Sequence, residues 1–136
     1  MRRPRCMLPA LLLAALTSPA QAGDAVCHYA YGGETQTLRA LPTASPFAVP
    51  AVRVGSYLRF RVVVEAEPAA LAALKTYVYE ERDGGPALVH QGVYPWPASE
   101  APGRRHGFTG LQRVYESAYG SELEYWCALA TAAEAQ

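Results

Sequence analysis

The chain has 136 residues, with twelve basic and twelve acidic side chains, three histidines and three cysteines. Arg2, Arg3 and Arg5 account for three of the basic residues, so nine basic side chains face twelve acidic ones after residue 22, a net charge of −3. That balance argues against the basic face that nucleic acid requires. No segment after residue 22 reads as long and apolar enough to span a membrane.

Taken in chain order, Arg2, Arg3 and Arg5 form a basic leader ahead of the apolar run Met7 to Leu16, and Ala20-Gln21-Ala22 follows Pro19. A run of about ten residues is too short for a bilayer and right for an export signal, and an A-x-A triplet is a cleavage site. The expectation is a signal peptide over 1–22, a mature chain from Gly23, and a periplasmic or secreted location. A short membrane anchor is the rival reading. Cys6 precedes the apolar run, whereas a lipidated cysteine would follow it. The chain has no Asn, no Ile and a single Lys, Lys75. That bias points to a G+C-rich bacterial genome, so the preference for Arg over Lys is not read as a recognition signature.

The first mature segment, "AVCHYAY", and "ETQTLRAL" bracket Gly32-Gly33 and predict a β-hairpin. Pro42, Pro46 and Pro50 make the next stretch irregular or an edge, with "AVRV" (51–54) as a short extra strand. "YLRFRVVVE" (57–65) alternates cleanly: Leu58, Phe60, Val62 and Val64 on one face, Arg59, Arg61 and Glu65 on the other. "EPAALAAL" (67–74) is the one helical candidate, about two turns long. "LKTYVYEE" and "ALVHQGVY" flank Arg82 to Pro86 and predict a second hairpin. "QRVYESAY" and "SELEYWCAL" flank Gly120 and predict a third. The tail 131–136 is expected to be disordered, leaving one domain over 23–130.

About seven short strands with frequent turns predict an all-β fold, a small antiparallel β-sandwich of immunoglobulin-like or fibronectin-like shape. A small barrel competes. The interval between the cysteines is longer than the usual bridge between immunoglobulin sheets.

After cleavage Cys27 and Cys127 remain, near the two ends of the domain. An even pair in an oxidising compartment reads as a disulfide. Closing so long a loop removes about 4–5 kcal/mol of chain entropy from the unfolded state in the simplest treatment. Cys127 falls on the apolar face of its strand with Leu123, Tyr125 and Leu129. Cys27 and His28 point to opposite faces, so the pair does not converge on one ion.

The stretch Pro95 to Gly110 is a long loop carrying Trp96 and the basic cluster Arg104, Arg105 and His106. Loops of this length are commonly functional, and Trp and Arg are frequent interface anchors. Contact with a protein partner through Trp96, Arg104, Arg105 and His106 is the leading reading. The alternative is a periplasmic copper or zinc site built from His28, His90 and His106, since imidazole suits both metals. His90 is placed mid-strand on the face of Leu88 and Tyr94. Tyr77 with Tyr79, and Tyr115 with Tyr119, are each expected to share a strand face and to line the core with their hydroxyls at its rim. Glu80 with Glu81, and Glu122 with Glu124, read as charge pairs on solvent faces. There is no nucleophile elbow, no phosphate loop and no free cysteine nucleophile. Binding is therefore expected rather than catalysis, and no cofactor.

Overall fold

The computed structural model describes residues 23–99, 104–131 and 134. The expected signal peptide lies outside the described residues, as do positions 100–103 of the long loop. Of the expected tail, Thr131 and Glu134 alone are described.

Nine strands form two sheets, and no α-helix occurs among the described residues. The first sheet has the order β2 (Glu34–Ala40), β1 (Ala25–Tyr31), β9 (Glu122–Leu129), β8 (Gln112–Tyr115), and all its pairings are antiparallel. In the second, β5 (Leu58–Glu65), β6 (Ala73–Glu80) and β7 (Ala87–Pro95) run antiparallel in turn. The free edge of β5 is shared by β3 (Pro42–Thr43), which pairs parallel to Val64 and Glu65, and β4 (Val52–Val54), which pairs antiparallel to Leu58–Phe60. The second sheet is therefore mixed. The two strands beyond the expected seven come from the proline-rich stretch and from "AVRV".

All three predicted hairpins form. The helical candidate does not: 67–74 holds a single 3-10 turn, Ala69–Leu71, and β6 starts at Ala73. Ala73 and Leu74 are both buried, so extending the strand secures more apolar burial than two turns of helix over residues 69–72, all exposed but half-buried Ala72.

The sheets share one core. Ala25, Cys27, Tyr29, Leu123, Tyr125 and Cys127 face Leu58, Phe60, Val62, Val64, Leu74 and Val78. Phe60 bridges the layers, its ring 5.7 Å from Tyr29 and 4.8 Å from Tyr125. The alternation read in β5 and β9 is the alternation observed. In β7 it is not. His90 pairs with Val78 while Leu88 pairs with Tyr79, so a bulge takes up Val89. That extra residue turns Leu88 outward, 51% exposed, while His90 faces the core side. His90 and Leu88 therefore do not share the face expected of them.

Candidate functional site

Cys27 and Cys127 stand directly opposite each other on β1 and β9 and are joined by a disulfide, with Cα atoms 4.0 Å apart. Both are fully buried. The close approach fits a non-hydrogen-bonded antiparallel pair, in which the backbone N–H and C=O point away from the partner strand. The backbone of Cys127 does point away, toward the long loop. Its N–H donates to Thr109 Oγ1 at 2.8 Å, and its carbonyl accepts from Phe108 N at 3.0 Å and Thr109 N at 3.4 Å. Residues 107–109, in the turn ahead of β8, thus rest on the backbone of β9. A buried disulfide of this kind points to an oxidising environment.

The loop is pinned at both ends. At its entry Trp96 is 5% exposed and packs edge-on to Phe108, with ring centroids 6.1 Å apart. The backbone N–H of Trp96 donates to Ala72 O at 3.2 Å. At its exit Gly107 has φ +55°, and a Cβ there would lie 2.1 Å from the Cys127 carbonyl oxygen. Only glycine fits so close an approach of two backbones. Between these anchors Arg104 and Arg105 are exposed and His106 is half-buried, edge-on to Trp126 at 5.4 Å. Of the residues read as contacts, the structure thus puts Trp96 in the core and Arg104 and Arg105 at the surface.

Most arginines outside the loop have partners. Arg39 is paired with Asp24, Arg59 with Glu81, Arg82 with Glu80, and Arg113 with Glu122 and Glu124. Arg61 donates to the carbonyls of Val49 and Pro46 and lies over the Tyr77 ring. Among the described residues, no acid pairs with Arg104 or Arg105.

The three histidines do not meet. His28 stacks on Trp126 at 4.6 Å and His106 approaches the same indole. His90, on β7 of the second sheet, packs against the inner face of the first, its Nε2 2.7 Å from the Tyr125 hydroxyl. Tyr125 also bonds Thr76 Oγ1 at 2.8 Å. Burial pushes the Tyr125 hydroxyl pKa up and holds His90 below the ordinary imidazole value. Among the described residues, no three His, Cys, Asp or Glu side chains form a group that could hold a metal ion.

The tyrosines also divide. Tyr29 and Tyr125 belong to the core. Tyr77 and Tyr79 pack side by side on the outer face of the second sheet, 6.3 Å apart, and Tyr115 is 58% exposed. β8 ends at Tyr115, so Tyr119 lies in the following turn, where it packs on Tyr57. The four tyrosines expected to line the core therefore sit outside it.

Two carboxylates are buried beside that turn. Glu116 accepts from the backbone N–H groups of Ala118, Tyr119 and Ser121. Burial opposes its ionisation, but those N–H groups outweigh it and its pKa falls below the usual carboxylate value. Glu80 accepts from the Ser117 hydroxyl and N–H and from Arg82. The Ser117 bonds, then Arg82, draw its pKa down to about 2. Glu80 is therefore not on a solvent face. Its signal was parity: it follows Leu74, Thr76 and Val78 on the inner side of β6. For Thr109 and Gly107 no local pattern marked the anchoring role.

Among the described residues, no helix is long and apolar enough to cross a membrane. Comparison of the chain with protein-family models, curated proteins and solved structures finds no match.

Proposed function

We propose that the protein is an exported, periplasmic or secreted bacterial β-sandwich of immunoglobulin-like type that binds a protein partner through the basic end of its 95–110 loop. The observation that carries the reading is the contrast between Arg104 and Arg105, exposed and without an acidic partner among the described residues, and the loop exit fixed immediately behind them on Cys127. A rigid base beneath exposed guanidiniums lowers the entropy cost of docking. It suits an acidic patch on the partner, because guanidinium pairs with carboxylates in bidentate fashion. Trp96 serves as the root of the loop and His106, against Trp126, as its flank. The leader and the buried disulfide support export.

Affinity capture from the exporting host, with the wild type and an Arg104→Glu/Arg105→Glu variant side by side, tests the assignment. The variant is expected to lose its partner, to keep the wild-type melting temperature, and to regain binding when the facing acids of the identified partner are replaced by arginine. Capture of the same partner by both proteins at equal yield would sink it.

A further inference from the structure

We infer that β7 is a self-pairing edge, through which two copies of this chain join the second sheet of one to that of the other across a two-fold axis. β7 spans nine residues and borders the sheet, with β6 on one side. Among the described residues, no hydrogen bond reaches its backbone from the other side. Open edges are ordinarily blunted by charge, proline, brevity or a bulge, and β7 has a bulge only at its start. The other edges are: β8 has four residues and carries Arg113, β2 carries Glu34 and Arg39, and β3 and β4 are short and hold Pro42 and Arg53. β7, "ALVHQGVYP", contains no Asp, Glu, Lys or Arg, and its single proline is the last residue. The bulge at Val89 leaves His90 to Pro95 as the regular part.

A second copy is the occupant these features select. An uncharged strand meets its own image without repulsion, and antiparallel pairing of identical edges closes as a two-fold dimer rather than a fibre. Val93, 58% exposed, would lie at the join on the outer face. Antiparallel pairing also brings the Ala87 end of one β7 toward the Pro95 end of the other. The first follows the Arg82–Pro86 turn, where Asp83 has no partner among the described residues, and the second leads into the segment bearing Arg104 and Arg105. Among the described residues Asp83 and the two arginines are opposite in sign, and one acid against two arginines leaves the loop basic.

Sedimentation of the purified, disulfide-intact protein over a wide concentration range, with hydrogen exchange of the β7 amides, tests this. The wild type should dimerise, and the outward amides of His90–Tyr94 should gain protection as concentration rises. Val93→Lys, at an exposed position, should weaken the dimer by about tenfold or more, equivalent to about 1.4 kcal/mol. Phe47→Lys, at a site 95% exposed and off this edge, should leave it intact. A wild type that stays monomeric, a dimer indifferent to Val93→Lys, or β7 amides protected only when a different protein is added would each overturn self-pairing. Partner capture is read separately, with the Arg104→Glu/Arg105→Glu variant and the wild type compared at a concentration where both are monomeric.

Discussion

The two flanks of β8 solve one problem in different ways. A four-residue edge strand is too short to hold its own ends, and each neighbouring segment is tied down by groups outside the strand. Ahead of β8, residues 107–109 are held by neutral bonds to the backbone of Cys127, itself fixed by the disulfide. After β8, the 116–121 turn is held by ionised carboxylates, Glu116 from within and Glu80 from across the second sheet. The first flank should depend on covalent and steric integrity and be indifferent to acid. The second should be the acid-labile corner of the molecule. The basic stretch proposed to bind a partner adjoins the first flank, the one whose geometry does not titrate.

The largest break in this contrast should come from Cys27→Ser/Cys127→Ser. The cysteines are 100 positions apart, and loss of the disulfide should cost about 4 kcal/mol in urea unfolding. In native-state hydrogen exchange, protection should fall first at Phe108 and Thr109, whose amides rest on Cys127. Next, Gly107→Ala should cost about 3 kcal/mol, because a side chain must fit at positive φ against the Cys127 carbonyl. Wild-type stability in that variant would mean that the loop exit shifts freely.

Acid sharpens the comparison from the other side. The folded-state pKa values of Glu80 and Glu116 are depressed, so their stabilisation is fully present above the ordinary carboxylate value of 4.5 and is lost as pH falls below it, for Glu80 as pH approaches about 2. Amides of Ala118, Tyr119 and Ser121 should lose protection through that window before those of Phe108 and Thr109. Glu116→Gln should lower the melting temperature at neutral pH, by less than Gly107→Ala does, and should flatten the decline below pH 4.5. Equal acid sensitivity of the two flanks would remove the distinction. The smallest effect belongs to Thr109→Val, which leaves the buried Cys127 N–H unpaired and should cost about 1–2 kcal/mol, independent of pH.

Much of the fold was legible because strand alternation has period two and turn residues punctuate it. β5 and β9 show their core faces in the order of their residues, and the same parity placed Cys127 inside. Period-two reading failed where its premise failed. One bulged residue, Val89, detached His90 from Leu88, and nothing local in "ALVHQG" marks it, since a bulge is set by pairing with β6. The tyrosines misled for a different reason. An aromatic on an alternating strand fits either face, and which face is covered depends on the opposing sheet. Of the site residues, Arg104 and Arg105 read as exposed and are exposed. Trp96 read as a contact and is buried, because Phe108, twelve residues later in the chain, folds back onto it.

By itself the sequence determined an all-β chain, its three hairpins, the facing apolar stripes and the pairing of Cys27 with Cys127. Each of these follows from residue types within a few positions, or from there being only two cysteines after residue 22. Tertiary structure alone decided that the cysteines lie across neighbouring strands of one sheet, that residues 107–109 rest on Cys127, that Glu80 is buried against Ser117, and that β7 borders its sheet. Those outcomes depend on contacts between residues far apart in the chain, whose energies no local pattern contains.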